Sequence, residues 1–357
     1  MKIGNLDIGN KLFLAPMAEV TDSSFRKICK SYGAGITFTQ MVSAEGVIKN
    51  NFETLRHFSF NRSEKPIGVQ VLGNDPEILF EASKEISKHN PDLIDLNCGC
   101  PVEKVCSKNM GSALLDDPKM IGKLVRKMVD GSNGVPISVK IRLGRDRSRI
   151  NVFDNARAIQ DNGASLIFIH ARTRADKYDT LADWSWLKKV KETITLPIVG
   201  NGSLFSPHDV KDMLDFTGCD SAMIARGALG NPFLFSRFNE LLETGTDPGE
   251  PHSSIVLQTV LQHINNLEQE FGEIVALNKA KKHSLWYFKY HSGVKYLLDR
   301  VFSIKNLNDL RQLIEEHADQ ILHTPVNVDE NKIIHKKFQR KVLYWLAEEN
   351  ITVSCKD

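Results

Sequence analysis

Three cysteines fall close together at Cys98, Cys100 and Cys106, the first two inside Asn97-Cys98-Gly99-Cys100-Pro101. A thiol can give a proton near neutrality or attack as a thiolate, according to its pKa. Cys100 lies between Gly99 and Pro101, a turn suited to presenting a side chain, whereas Cys98 and Cys106 read as packing residues. No second Cys or His pair follows at metal-ligand spacing, so no metal site is expected. Gln70, Lys140 and His170 interrupt otherwise apolar runs. Polar groups buried in such runs are costly unless a partner satisfies them, so these three should converge on something bound. Lys140 could be a Schiff-base lysine, or the electrostatic partner of a cofactor that turns anionic on reduction, or simply a solvent-facing strand end. His170 could be a ligand or a hydrogen-bonded core residue. Gly200-Asn201-Gly202-Ser203 and Ala225-Arg226-Gly227-Ala228 are glycine-rich and could cradle a phosphate, with Arg226 adding charge; they could equally be tight turns.

The elements that would position these residues follow a repeat. Short apolar runs lie at 12–17, 36–41, 67–72, 93–97, 137–143, 166–170, 198–201 and 221–225, eight in all. Their mean spacing of about thirty residues is that of a βα unit. Helix-start signals stand between them: Thr21-Asp22, Asn74-Asp75-Pro76, Asp116-Asp117-Pro118 and Ser206-Pro207. Eight alternations predict an α/β fold, a (β/α)₈ TIM barrel, rather than an open doubly wound sheet, because no dinucleotide-type glycine loop follows the first strand. In such a barrel the chemistry sits at the C-terminal strand ends, where Pro16-Met17-Ala18, Asn97–Cys100, Arg142, Arg172, Arg174 and the two glycine loops all fall. The turn-rich stretch 244–251 then separates residues 1–245 from a predicted all-α domain at 252–357, where apolar residues such as Ile255, Val260, Ile264 and Leu267 recur at helical period.

Composition narrows the classes of function. Of 357 residues, 41% are hydrophobic and 25% charged, which excludes a fibrous or disulfide-stapled chain. No apolar run approaches the ~18 residues of a membrane span. Asp7, Lys11 and Glu19 make the N-terminus too charged for a secretory signal, so a cytoplasmic protein with free thiols and no membrane partner is expected. The net charge of +2 excludes a globally basic protein but not a basic face. Lys279, Lys281, Lys282, Lys289, Lys295 and Arg300 form one basic run; Lys332, Lys336, Lys337, Arg340 and Lys341 form another. Arg142, Arg145, Arg147 and Arg149, with Arg172, Arg174 and Lys177, would lie at the barrel mouth. Any one run could be a solvated face.

Seven longer motifs stand in the chain: Leu14-Ala-Pro-Met-Ala-Glu-Val-Thr-Asp-Ser-Ser-Phe-Arg26, Val69-Gln-Val-Leu-Gly73, Ile94-Asp-Leu-Asn-Cys-Gly-Cys-Pro-Val-Glu-Lys-Val105, Val139-Lys-Ile-Arg142, Ile169-His-Ala-Arg-Thr-Arg174, Met223-Ile-Ala-Arg-Gly-Ala228 and Lys282-His-Ser-Leu-Trp-Tyr287. At these motifs, over about residues 10–300, the sequence resembles the tRNA-dihydrouridine synthase family. The resemblance implies a TIM barrel followed by a helical tRNA-binding domain, an FMN cofactor, NADPH as reductant and reduction of specific uridines in tRNA. It further implies that Pro16, Met17 and Ala18 line the flavin, that Gln70, Lys140 and His170 contact its ring, and that Asn201, Gly202, Ser203, Ala225, Arg226 and Gly227 hold its phosphate. Cys100 would be the proton donor. Asn97, Arg142, Arg172, Arg174, Lys281 and Lys282 are the candidate substrate contacts, and a monomer is expected. Two departures stand out: Ser203 occupies a position commonly acidic in the family, and Tyr178–Trp184 lacks a glycine often found before Ala-Asp-Trp. Competing readings are an FMN barrel acting on a free pyrimidine, of the dihydroorotate dehydrogenase kind, an RNA-binding protein that keeps the barrel as scaffold, and an aldolase built on Lys140.

Overall fold

A computed structural model describes residues 1–4, 6–289, 291 and 294–323. The basic run at 332–341 therefore lies outside the described residues, as do the rest of the expected all-α domain beyond 323 and the side chain of Lys295. The chain divides into two compact units, Met1–Gly227 with Leu234–Asp247, and Ala228–Phe233 with the chain from Pro248 onward.

The first unit is a parallel barrel. A hairpin of β1 (Lys2–Ile3) and β2 (Leu6–Asp7) precedes it. The barrel strands are β3 (Phe13–Leu14), β4 (Thr37–Phe38), β5 (Val42–Ser43), β6 (Ile67–Leu72), β7 (Leu93–Cys98), β8 (Ile137–Arg142), β9 (Leu166–His170), β10 (Ile198–Asn201) and β11 (Ser221–Ile224). Hydrogen bonding runs β3-β11-β10-β9-β8-β7-β6-β4, and the ring closes where Leu14 N–H donates to Ile36 O at 2.9 Å beside a parallel Phe13–Ile36 bridge. The run expected at 36–41 is a single strand with one extra residue. Phe38 pairs with Gly68 and Val42 with Val71, so four steps on one strand meet three on the other, which is a bulge.

Helices follow the strands as the capping signals predict: α1 (Ser23–Ser31), α2 (Ala44–Ile48), α3 (Phe52–Phe58), α4 (Pro76–Ser87), α5 (Glu103–Cys106), α6 (Pro118–Gly131), α7 (Val152–Asp161), α8 (Ser185–Lys191), α9 (Pro207–Thr217) and α10 (Phe233–Thr244). Asp22, Asp75, Asp117 and Ser206 each accept a first-turn N–H with the side chain.

Alternate residues of the strands fill the barrel. Phe13, Phe38, Leu93, Leu166, Phe168, Val199 and Met223 form an apolar floor, which Ile3 and Ile8 from the N-terminal segment join. Phe168 meets Phe13 and Phe38 edge-on at 5.1 and 5.5 Å. Above the floor the inward residues turn polar.

The Thr-Asp-Ser-Ser-Phe-Arg motif has a structural role. Arg26 Nε donates to Glu64 Oε2 at 2.7 Å, and its two terminal nitrogens donate to Thr21 O and Ser59 O. Ser23 Oγ and Asn61 N–H donate to the other Glu64 oxygen. This buried ion pair has its hydrogen-bonding groups satisfied, the condition under which such a pair is tolerable. It clamps the loop after β3, while Thr21 Oγ1 accepts from Met17 N–H and thereby holds the Pro16-Met17-Ala18 turn.

The second unit contains α11 (Ser253–Phe271), α12 (Glu273–Tyr287), α13 (Val294–Val301) and α14 (Leu307–His323). Val256, Val260, Ile264 and Leu267 of α11 pack inward; Ile255, one of the expected apolar positions, is 42% exposed. Trp286 and Tyr287 are each 2% exposed and belong to the core. Several expected RNA-facing cations are committed to the fold. Lys281 Nζ donates to Ile304 O at 2.6 Å, Lys289 Nζ donates to Leu229 O, and Arg300 lies over the Tyr296 ring at 3.6 Å. No helix of the described residues is long and apolar enough to cross a membrane.

Candidate active site

The polar layer begins on β6, β7 and β8. Register places Gln70 beside Asp95 and Asp95 beside Ser138, all on the inner face. Gln70 Nε2 donates to Asp95 Oδ2 at 2.7 Å, and Ser138 Oγ donates to Asp95 Oδ1 at 2.6 Å. Asn97 Nδ2 donates to Gln70 Oε1 at 2.8 Å. Asn97 Oδ1 then accepts from the backbone N–H groups of Gly99 and Cys100, at 3.0 and 2.9 Å. A continuous ladder thus runs from a buried carboxylate to the cysteine turn.

That turn is held from its other side as well. Cys100 O accepts from Ser112 N–H at 3.0 Å, and Arg142 Nε donates to Gly99 O at 2.8 Å. Gly111 has φ +61°, and a Cβ there would stand 2.8 Å from Cys100 O, so both conformation and space call for glycine. Cys98 and Cys106 are buried; Cys100 is the one part-exposed thiol among the described cysteines. Burial pushes the Cys100 thiol above its ordinary pKa, with Cys106 adding to the rise and Val102 N–H, Arg142 and Lys140 opposing it. The group is therefore a protonated thiol at neutral pH, suited to act as an acid rather than as a nucleophile.

Cations dominate the mouth. Lys140 makes no hydrogen bond or ion pair with the described residues; burial, and then Arg142, bring its pKa down to about 8, against the pull of Asp95 and Cys100. Burial raises Asp95 to about 6, with Gln70, Ser138 and Lys140 holding it lower than burial alone would. His170 is pressed well below the usual imidazole range by burial and by Arg142, Lys140, Arg172 and Arg226. Arg172 Nη1 lies 2.9 Å from His170 Nε2. Arginine can only donate, so Nε2 accepts and the neutral ring carries its proton on Nδ1.

The two glycine loops pack on each other. A Cβ on Gly227 would lie 2.2 Å from Leu204 O, so the loop after β11 closes directly onto the loop after β10. Asn201 Nδ2 donates to Met223 O at 2.7 Å and ties the strand ends together. Arg226 gives one donor to Tyr178 O at 3.0 Å and lies over the Tyr178 and Phe205 rings; the rest of its fork makes no hydrogen bond with the described residues. Ser203, at φ +58°, accepts from Arg172 Nη2 at 2.9 Å and from Ala182 N–H at 3.1 Å. An acidic side chain at this position would neutralise Arg172; the serine leaves its charge in the field of the mouth. Trp184 Nε1 donates to Gly202 O at 3.0 Å, so the loop without its expected glycine is still pinned against the cradle.

The sequence-expected residues thus divide. Met17, Gln70, Asn97, Cys100, Lys140, His170, Asn201, Gly202, Ser203, Ala225, Arg226 and Gly227 lie on the barrel's inner face or on the loops at its mouth. Arg142 and Arg172, expected at RNA, are 3% and 2% exposed. Arg142 donates to Gly99 O and Thr173 O, and Arg172 to His170, Thr180 O and Ser203, so both brace the mouth from within. Arg174 faces Glu103 at 3.5 Å, and Arg145, Arg147 and Arg149 each pair with an aspartate. Sequence reasoning missed Asp95, Ser138 and Gly111. The first two carry a signal that could have found them: polar residues at the inward parity of two apolar strands.

A parallel (β/α)₈ barrel with a cationic, glycine-lined mouth and a presented, protonated thiol defines a class of barrel whose mouth suits an anionic ligand next to an acid. Comparison with known proteins is more particular. The family model described as "Dihydrouridine synthase (Dus)" matches residues 13–343, and the chain belongs to that family. It is similar to "tRNA-dihydrouridine synthase B" of Pasteurella multocida, at 36% identity over 81% of this chain and 87% of that one. It is also similar to the protein of the same name from Vibrio cholerae, at 33% identity over 90% and 99% of the two chains. Among solved structures, histamine dehydrogenase from Rhizobium sp. superposes with a TM-score of 0.53 at 14% identity, over 74% of this chain and 50% of that one, a likeness of fold alone.

Proposed function

We propose that this protein is an FMN-dependent tRNA-dihydrouridine synthase, an oxidoreductase that uses NADPH to reduce the C5=C6 bond of specific uridines in tRNA. The observation that carries the reading is the half-buried, protonated Cys100 thiol on a turn fixed by Asn97, with a Lys140 ammonium that has no hydrogen-bond or ion-pair partner among the described residues. A part-exposed cation on the inner face with no partner among the described residues, in a mouth that also holds the paired glycine loops and the Arg226 fork, fits a phosphate-bearing, electron-accepting cofactor. Lys140, Gln70 and His170 would hold its ring, and the backbone of 201–203 and 225–227 with Arg226 would hold its phosphate. When bound, FMN supplies the hydride that adds at C6 of the uracil.

Saturation places negative charge toward C5 and O4, and the Cys100 thiol delivers the proton to C5. Its raised pKa keeps that proton available at neutral pH, and its partial exposure lets solvent restore it. Asn97 holds the turn so that the sulfur has one position. The uridine must be turned out of its stack to reach the mouth, at a cost of about a few kcal/mol. Phosphate contacts elsewhere must offset that cost, and Lys282 and Arg174 are sequence candidates for them, Arg174 while facing Glu103 at 3.5 Å. Lys281 is already bonded to Ile304 O, and its contribution to RNA binding is the smaller one. The free described thiols and a tRNA substrate fit a monomer working in the cytoplasm.

The test supplies purified protein, FMN and NADPH with an unmodified tRNA transcript, free uridine or orotate. Mass gain of two hydrogens in the transcript alone supports the reading. Turnover of a free pyrimidine at a comparable rate would replace it with the small-molecule alternative.

A further inference from the structure

We propose that Asp95, buried below the cysteine turn and bonded to Gln70 and Ser138, is a positioning residue that sets the orientation of the Cys100 turn through two side-chain amides. The inference rests on Cys100 as the acid of the reaction above. An amide can present its oxygen or its nitrogen to a neighbour, and in a buried chain of amides each choice forces the next. Here the choice is made at one end. Asp95 is 1% exposed, and its carboxylate oxygens accept from Gln70 Nε2 and Ser138 Oγ. Gln70 must therefore turn Oε1 toward Asn97, whose Nδ2 donates to it at 2.8 Å. Asn97 must then turn Oδ1 toward the cysteine turn, where it accepts from Gly99 and Cys100 N–H. If the first acceptor is lost, Gln70 is left with a buried unpaired N–H₂. Rotation of that amide to recover a bond would set its nitrogen against Asn97 Nδ2, and a matching rotation of Asn97 would face a donor toward two donors at the turn. The ladder is all-or-none, as buried polar networks are when each member has a single arrangement that satisfies it.

Two substitutions separate this role from bulk and from charge. Asp95→Asn can keep the ladder: its Oδ1 accepts from Gln70, and its Nδ2 donates to Ser138 Oγ. Asp95→Leu cannot. The readout is the alkylation rate of Cys100 by iodoacetamide as a function of pH, in a Cys355→Ser background, because the other described cysteines are buried. It is paired with kcat and KM on tRNA.

For Asp95→Leu the expected result is an alkylation profile shifted at least tenfold in rate and a kcat at least tenfold lower, with KM for tRNA unchanged. Asp95→Asn should restore both to within about threefold of the parent. Gln70→Met, which cuts the ladder in the middle and leaves Asp95 bonded to Ser138, should reproduce the alkylation change, and it decides the matter if Asp95→Leu does not fold. An unchanged alkylation profile in Gln70→Met, or equal losses in Asp95→Asn and Asp95→Leu, would overturn the proposal. Because alkylation needs no tRNA, a failure of the proposed function would show as absent turnover in the parent with the ladder effect intact.

Discussion

Cys100→Ala is expected to lower dihydrouridine formation by about 10²–10⁴-fold, the usual worth of a positioned general acid, while leaving FMN affinity within about threefold. The reason is geometric as well as chemical. The turn is fixed by Asn97 below and Ser112 behind, and Gly111 allows the close approach. An alanine fits that backbone without strain, so only the proton source is removed. Cys98 and Cys106 cannot substitute, since both are buried. Single-turnover conversion of tRNA, read by mass, measures the loss. Conversion at the parent rate would remove Cys100 from its role and leave the proton to come from water or another group. The pH profile gives an independent check. The thiol's pKa is raised, so with FMN saturating, activity should hold through neutrality and fall as pH rises through that elevated value.

Lys140→Met is expected to weaken FMN binding by about 10–100-fold, corresponding to the ~1.5–3 kcal/mol of a hydrogen bond to a charged group. Methionine keeps most of the stem and removes the ammonium. The sign of the pH dependence follows from linkage. Before ligand binding, burial and Arg142 hold the Lys140 pKa at about 8, so above that pH the ammonium must be reprotonated for an electron-rich ring to be held. Affinity should be flat below about pH 7 and decline as pH rises past about 8, by up to tenfold per unit until the pKa of the complex is reached. In Lys140→Met that slope should vanish. Fluorescence titration of FMN across this range provides the measurement. An affinity that rises with pH, or a slope surviving in the variant, would show that another group titrates.

The barrel was legible because its signals are local. Asp75-Pro76, Asp117-Pro118 and Ser206-Pro207 are capping chemistry, and the runs between them are short enough to be strands alone. The second strand was less legible, since a bulge after Phe38 depends on what the neighbouring strand offers. At the site, Gln70, Lys140 and His170 could be named because polar groups stand out on apolar strands. The residues that brace them could not be separated from ligand contacts. Arg142 and Arg172 look like mouth cations in the sequence, and only the folded loops show that their donors go to Gly99, Thr173, Thr180, Ser203 and His170.

The central claim, that this chain saturates uridine in tRNA through the Cys100 thiol, is tested most directly by expressing it in cells whose own tRNA lacks dihydrouridine, then sequencing their tRNA for the modified base. The account predicts dihydrouridine at one or a few defined positions with the parent chain and none with Cys100→Ala. Bare tRNA in cells that hold the soluble, FMN-loaded parent protein would contradict it.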